Sequence, residues 1–253
     1  MKKYKNNWVI FTLLSLVVIS CRSTKVGEEA KIKQPNILLL LSDDQSFNTI
    51  NALGNKEVST PNMDRLVSEG TTFTHAHIMG GNTGAICMPS RAMMMTGKNV
   101  HRFNSKGALT SEDETIPQLL REAGYATFGT GKWHNNSDSF AKSFTHGSNI
   151  FLGGMSNHLR VPLHDFDPSG EYLKRNRRFE DKFSSVLFRE ATVDFLENYN
   201  EDKPFFAFVS FTSPHDPRMA PKEYEEMFNT EKISLPENFQ PIHPFDNGEL
   251  IIR

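Results

Sequence analysis

The feature that most constrains the fold is a repeated pairing of a short apolar segment with a polar cluster directly after it. Residues 37–41 form a continuous apolar run, introduced by Pro35, and predict a buried central strand. Residues 125–129 and 205–211 predict two further strands. Helical patterns occupy three of the intervening segments: residues 60–69, 115–123 and 183–199. Strands that alternate with helices indicate an α/β fold built in layers.

The polar clusters are expected to meet, because the carboxyl ends of parallel strands lie at one edge of a sheet. Each predicted strand is followed by one cluster: Asp43-Asp44, residues 131–134 and residues 213–216. These clusters contain carboxylates, a lysine and histidines. The sequence therefore predicts a polar site at this edge of the sheet.

Asp43 and Asp44 are adjacent carboxylates at the first of these strand ends. Neighbouring carboxylates repel each other unless a cation or a positive side chain lies between them. Their hard oxygen atoms suit Ca²⁺ or Mg²⁺. A loop turn in which an aspartate caps a helix explains the same pair, so both interpretations stay open at this point.

Cys87 lies just before Pro89 and Ser90, which are typical of a helix start, and Gly97 is the expected end of that helix. The helix dipole favours negative charge at its first residues, and Arg91, one turn further on, is able to project back towards Cys87. By itself, a cysteine at this position fits a buried thiol as well as it fits a nucleophile.

The chain has two cysteines, too few for a disulfide scaffold or a structural zinc site. Cys21 follows a basic segment and a short apolar run, which together are typical of an export signal. Residues 18–21 resemble the bacterial lipobox, in which the chain is cleaved before a cysteine that receives lipid. We therefore predict a lipoprotein signal peptide over residues 1–20, a polar tether over residues 21–34 and membrane attachment through Cys21.

An ordinary signal peptide and an uncleaved anchor are the alternatives to this lipoprotein signal. In each of these cases the protein is exported, and the lipobox places it in the periplasm or at the cell surface of a bacterium. The formal net charge of −2 argues against a generally basic nucleic-acid-binding protein, so no nucleic-acid partner is expected.

Four motifs resemble, in the same order, those of the type I, formylglycine-dependent sulfatases of the alkaline phosphatase-like superfamily. The motifs are Asp43-Asp44, Cys87-x-Pro89-Ser90-Arg91 with Thr96-Gly97, residues 124–134, and Ser213-Pro214-His215. The resemblance implies an α/β fold in which a mixed sheet is sandwiched between helices. It runs from about Gln34 to the end of the chain, so we expect residues 35–253 to be the N-terminal part of a catalytic domain.

The resemblance also implies the chemistry of the site. In this family the cysteine corresponding to Cys87 is oxidised to formylglycine, an aldehyde whose hydrate attacks sulfur and carries the sulfate covalently. Asp43, Asp44 and the modified residue 87 would hold Ca²⁺. The implied partners are a formylglycine-generating enzyme or an anaerobic maturase, and a substrate that is a sulfated small molecule or carbohydrate.

Four further residues receive roles from the same resemblance. Arg91 would orient formylglycine, and Lys132 would bind sulfate oxygens. His134 would assist the elimination of sulfate, and His215 would lie near the oxygen of the leaving group. Lys98, which follows Gly97, is expected to be a surface or structural residue.

The C-terminal end departs from the family pattern. The family has an Asp-Asn pair of metal ligands after a later apolar strand, and a sulfate-binding lysine beyond it. Asp246-Asn247 follows a proline-rich loop instead of a strand, so we do not assign it as that pair. The domain is then incomplete at its C-terminus, and little activity is expected from these residues alone. Two smaller departures, Met88 and Thr130, remove no reacting group.

Two other functions remain open from the sequence. A phosphodiesterase or phosphonate monoester hydrolase of the same superfamily would share the formylglycine motif. A truncated, non-catalytic lipoprotein would explain the missing second pair of metal ligands.

Overall fold

The computed structural model describes residues 34–81, 86–235, 237–242 and 244–245. The predicted signal peptide, Cys21, most of the tether and the Asp246-Asn247 pair lie outside these ranges. The folded unit begins at Asn36. The side-chain oxygen of Asn36 accepts a hydrogen bond of 3.1 Å from the backbone N–H of Phe205 and so fixes the entry into the sheet.

The described sheet consists of β1 (Ile37–Leu41), β2 (Ala126–Lys132), β3 (His146–Phe151) and β4 (Phe205–Ser210). Their order is β1-β4-β2-β3, so the last strand in the chain lies between the first two. The strand pairs are parallel, and β3 adds an antiparallel bridge between Ile150 and His164 at its edge. The carboxyl ends of β1, β4 and β2 therefore lie side by side.

The helices are α1 (Pro61–Glu69), α2 (Cys87–Thr96), α3 (Ile116–Glu122), α4 (Ser137–Ser143), α5 (Ser184–Asn198) and α6 (Lys222–Glu225). The predicted helices α1, α2, α3 and α5 are confirmed within two residues at each end. A backbone N–H of Thr115 donates to the side chain of Gln118 (2.9 Å) at the start of α3, as in a capping box. Within the described part of the chain, every helix is too short or too polar to cross a bilayer.

Helices cover both faces of the sheet. Successive strand residues point to opposite faces of the sheet, so the side chains of Phe208 and Val209 in β4 enter the cores on opposite sides. Phe208 packs with Met95 of α2 and Phe140 of α4, whereas Val209 packs with Phe188 of α5. The sheet is thus sandwiched between helices, and its carboxyl edge is left open for a site.

The prediction that β1 is a buried central strand was wrong for the described sheet. β1 pairs with β4 on one side only, and Leu38 and Leu40 are 47% and 50% exposed. A continuous apolar run predicts burial on both faces. In the described ranges, however, α5 packs on β2, β3 and β4, and the face of β1 that carries Leu38 and Leu40 has little cover.

Candidate active site

Asp43 is the point at which the three polar clusters meet. Its buried carboxylate lies just beyond β1, with Oδ2 at 2.5 Å from Nζ of Lys132 at the end of β2. Its Oδ1 lies 3.3 Å from a terminal nitrogen of Arg91 on α2. Its backbone N–H donates to the carbonyl of Ser213, beyond β4, at 3.0 Å. The polar site predicted at this edge of the sheet is therefore present.

Arg91 is buried and connects α2 to two strands. Its side chain donates to the carbonyl of Lys132 (3.4 Å), to Oγ of Ser210 (3.3 Å) and to the carbonyl of Cys87 (3.5 Å). Burial lowers the pKa of Arg91, whereas Asp43 acts to raise it. A guanidinium remains charged under such a shift, so Arg91 is a fixed positive charge in the site.

Ser210 was not predicted as a site residue. It is the last residue of β4, fully buried, and its hydroxyl accepts from Arg91. The sequence feature that could have indicated its role is a polar residue near the end of an otherwise apolar strand. The sequence alone gave no reason to prefer it to the polar residues that follow in the loop.

Cys87 begins α2 as a half-buried free thiol. Its Sγ, a carboxylate oxygen of Asp43 and an imidazole nitrogen of His215 all lie within 4.8 Å of one another. Asp44, the second predicted metal ligand, is exposed in a left-handed backbone conformation with φ of 64° and is outside this group. The structure therefore brings His215, rather than Asp44, to the position shared by Asp43 and Cys87.

The chemistry of these donor atoms fits a cation in part. Ca²⁺ takes about six to eight oxygen ligands, whereas a thiol and an imidazole suit softer metals. Oxidation of Cys87 to an aldehyde would replace the sulfur by oxygen and improve the match to Ca²⁺. Among the described residues, Asp43 supplies a buried carboxylate and Asp44 an adjacent one, so the residues fit the cation without completing its shell.

His134 follows β2 with a left-handed φ of 51°. Burial, together with the positive charges of Lys132 and Arg91, lowers the pKa of His134 to about 4. The imidazole is therefore neutral near pH 7 and able to accept a proton. Its Nδ1 is buried without a hydrogen-bond partner among the described residues.

Gly154 packs directly on this imidazole and was not predicted as a site residue. A Cβ atom at position 154 would lie 2.5 Å from Nε2 and 2.6 Å from Cε1 of His134. Only glycine therefore leaves room for the ring where it stands. The Gly-Gly pair at residues 153–154 is the sequence feature that could have indicated this close contact, but such pairs also occur in ordinary loops.

His215 is half-buried in the loop after β4, and its tautomer follows from one hydrogen bond. Its Nδ1 lies 2.8 Å from the backbone carbonyl of Asp216. A carbonyl only accepts, so Nδ1 carries the hydrogen and Nε2 is left to bind a metal or to exchange a proton.

A cavity of about 550 Å³ lies next to these residues. Its lining includes Asp44, Met63, Phe211, Ser213, Arg218 and Tyr224. Because Asp44 adjoins Asp43 and the loop through Ser213 leads to His215, the cavity adjoins the candidate site. The mixture of aromatic, hydroxyl and charged groups suits an organic group that carries hydroxyls.

Comparison with known proteins gives consistent matches. A family model described as Sulfatase matches residues 35–248. The N-acetylglucosamine-6-O-sulfatase of Bacteroides thetaiotaomicron is 29% identical over 229 residues, which cover 89% of this chain and 39% of that protein. The N-acetylgalactosamine-6-sulfatase of Homo sapiens is 26% identical over 228 residues, which cover 79% of this chain and 43% of that protein.

One solved structure is of a protein in complex with its substrate, D-glucosamine-2-N,6-O-disulfate. It superimposes with a TM-score of 0.70 and 28% identity over 81% of this chain and 40% of that one. The chain spans between 39% and 43% of the length of the three relatives named here.

Proposed function

Because the chain belongs to the sulfatase family, we propose that it forms part of an enzyme that hydrolyses a sulfate ester. The expected alkaline phosphatase-like α/β fold is confirmed by its structural similarity to solved sulfatases. The observation that carries the proposal is the buried group of Lys132, Asp43 and Arg91 beside the cysteine that begins α2. A sulfate ester is anionic, and this group offers two fixed positive charges against one negative charge.

Each residue of the site has a separate role in the proposed reaction. Lys132 would bind the sulfate oxygens and offset the charge that develops on them, and Arg91 would orient and stabilise the modified residue 87, whose carbonyl it contacts at 3.5 Å. His134, which is neutral near pH 7, accepts a proton when sulfate is expelled. His215 presents Nε2, which in its protonated form donates to the oxygen of the leaving alcohol.

Cys87 is the residue that we infer to be converted to formylglycine. It begins a helix and lies half-buried, and its Sγ lies within 4.8 Å of a carboxylate oxygen of Asp43 and an imidazole nitrogen of His215. Asp43, Asp44 and the modified residue 87 would hold Ca²⁺. When present, formylglycine hydrate supplies the oxygen nucleophile and Ca²⁺ polarises the ester. A maturation enzyme is then a required partner of the newly made chain.

The 253 residues by themselves are proposed to turn over slowly or not at all. Within the described ranges, the carboxylate of Asp43 is the oxygen ligand that meets residue 87, and Asp44 is the adjacent acid. Ca²⁺ needs more oxygen atoms than these. The coding sequence beyond Arg253 tests this expectation, because an in-frame continuation with a strand followed by Asp-Asn would supply them.

The substrate class is proposed to be a sulfated carbohydrate. The support is chemical and comparative: the cavity beside Asp44 combines aromatic and hydroxyl groups, and the relatives named above act on sulfated amino sugars. Export as a lipoprotein, with residues 1–20 removed and lipid on Cys21, would place this activity in the periplasm or at the cell surface.

Turnover of an aryl sulfate and an aryl phosphodiester, compared in the complete gene product, tests the reaction class. We expect a strong preference for the sulfate, and the Cys87→Ala variant is the matched control that should abolish it. A strong preference for the diester would favour the phosphodiesterase or phosphonate hydrolase alternative. Absence of both activities in a fully matured protein would favour a non-catalytic lipoprotein.

A further inference from the structure

His158 is a buried histidine that neither the motifs nor the proposed reaction uses. It is 1% exposed and lies in the loop segment after β3. Its ring stacks on Phe183 with centroids 5.7 Å apart and an interplanar angle of 22°. A fully buried imidazole is costly unless both nitrogens find partners, so the contacts of this ring indicate its purpose.

The two ring nitrogens of His158 contact opposite ends of one short loop. Nε2 lies 2.9 Å from the backbone carbonyl of His215. Nδ1 lies 3.0 Å from the hydroxyl of Thr212, which in turn lies 2.8 Å from the hydroxyl of Ser184 at the start of α5. The ring therefore bridges residues 212 and 215 and connects them to the first residue of α5, a helix that packs on β2, β3 and β4.

The tautomer of His158 follows from these partners. The carbonyl of His215 has no hydrogen to give, so Nε2 must donate to it. Nδ1 is then the acceptor, and the nearest hydroxyl, that of Thr212 at 3.0 Å, supplies the hydrogen; the hydroxyls of Ser184 (3.3 Å) and Ser213 (3.4 Å) also lie within reach of Nδ1. The chain of hydroxyls from Ser184 through Thr212 is thus oriented so that one neutral tautomer of His158 satisfies every group.

The same loop carries the contacts of the candidate site. The carbonyl of Ser213 accepts from the backbone N–H of Asp43 at 3.0 Å, and the side chain of His215 meets Asp43 and Cys87. We propose that His158 is the positioning residue that fixes this loop, so that His215 faces Asp43 and residue 87 in one arrangement. This inference rests on the role proposed for His215 in the reaction.

A positioning residue is needed here for a physical reason. Loop residues between a strand and the next element have many accessible conformations, and fixing each residue costs conformational entropy. Thr212 and Ser213 are held directly by hydroxyls of α5, those of Ser184 (2.8 Å) and Ser185 (3.3 Å), whereas the carbonyl of His215 is held by His158. Loss of the His158 contacts should therefore free the His215 end of the loop while leaving the sheet and helices in place.

The matched variants are His158→Phe, His158→Gln and His164→Phe. Phenylalanine keeps the ring that stacks on Phe183 but cannot donate to His215, whereas glutamine has a donor and an acceptor at similar reach. His164 is the control, because it is also buried (3% exposed) and packs edge-on against Tyr172, but contacts neither Thr212 nor His215.

Amide hydrogen exchange, measured by mass spectrometry on the full chain and on each variant, gives the first readout. We expect His158→Phe to raise exchange in the peptides that contain Asp43 and His215 by about tenfold, the loss of roughly one buried hydrogen bond. His158→Gln should restore most of the protection, and His164→Phe should leave these peptides unchanged. Equal exchange in both phenylalanine variants, or unchanged exchange in His158→Phe, would overturn the proposal.

The variant Thr212→Val covers the case in which His158→Phe fails to fold. Valine preserves the shape of Thr212 but removes the hydroxyl nearest to Nδ1, so the hydroxyls of Ser184 (3.3 Å) and Ser213 (3.4 Å) are the donors that remain, while Nε2–H still donates to the carbonyl of His215. Nitrogen NMR of the imidazole should show the Nε2–H tautomer in both chains, and amide exchange in the peptide that contains His215 should rise in Thr212→Val because the loop loses its shortest side-chain contact with Nδ1. A predominant Nδ1–H tautomer in the unaltered chain would contradict the proposal.

Kinetics of the complete, matured protein separate this inference from the proposed function. The expected effect of His158→Phe is a fall in kcat of about tenfold or more with little change in KM, rescued by His158→Gln. If loop exchange rises but turnover is unaffected, His158 positions the loop and the role proposed for His215 is wrong. If the unaltered protein has no sulfatase activity, the exchange and NMR results still decide the positioning role.

Discussion

Nζ of Lys132 lies 2.5 Å from Oδ2 of Asp43, although the two residues are 89 positions apart in the chain. Both side chains are buried, and Arg91 contacts the other oxygen of the same carboxylate. Two buried cations are therefore balanced by one carboxylate. Removal of the carboxylate and removal of one cation should consequently change the stability of the fold by different amounts.

Removal of Asp43 should destabilise the fold more than removal of Lys132. Asp43→Asn leaves two buried cations without a counter-charge, for which we expect a loss of about 3–5 kcal/mol. Lys132→Met leaves Asp43 still paired with Arg91, and a loss of about 1–3 kcal/mol is expected. Urea denaturation of both variants measures the difference. The reverse order would show that Lys132, and not Asp43, is the centre of the group.

Gly154→Ala should displace the imidazole of His134. The new methyl group would meet the ring at 2.5 Å, and we expect the ring to rotate away with a stability loss of about 1–3 kcal/mol. The NMR signals of His134 should shift, and the matured enzyme should lose turnover. Met155→Ala, at the neighbouring exposed position, is the control. An unshifted His134 in Gly154→Ala would mean that the loop gives way instead.

Lys98 illustrates a contact outside the candidate site, and its pH dependence has a definite sign. Its Nζ lies 2.5 Å from Asp113, which also accepts from the N–H and hydroxyl of Thr110. Burial acts to raise the pKa of Asp113, but these donors outweigh it and lower the pKa below its usual 3.8. The folded state therefore binds this proton less well than the unfolded state does.

Asp113→Asn should accordingly cost about 1–3 kcal/mol near neutral pH. A lowered carboxyl pKa contributes stability that is fully present above the unfolded pKa of about 4 and is lost as the pH falls through the folded value. The difference between the variant and the unaltered chain should shrink below about pH 4. Chemical denaturation at several pH values measures it, and a difference that grew in acid would contradict the assignment.

The strand-end clusters were predictable because strand periodicity and parallel topology are local and general rules. Asp43, Lys132 and His215 could be placed at one edge of the sheet from the order of the elements alone. The unpredicted helix α4 is short and largely polar, with Phe140 as its one large apolar residue, so its periodicity carries little signal. Its start is fixed instead by Asn136, whose side chain accepts from the N–H of Ser139.

The contacts that refine the site could not be predicted for a different reason. Gly154, Ser210 and His158 act through contacts between segments that are separate in the chain, and no periodic pattern encodes such contacts. β1 was misplaced because an apolar run reports which residues are able to be buried, not which element covers them. The exposed Leu38 and Leu40 show that difference directly.

The central claim is that position 87 carries a converted cysteine in a sulfatase site, and mass spectrometry of the peptide that contains it tests this most directly. In a host with a formylglycine-generating enzyme, the peptide of the unaltered chain should have the mass of the aldehyde, and Cys87→Ala should show no modified form. A fully unmodified thiol in the native host would contradict the claim.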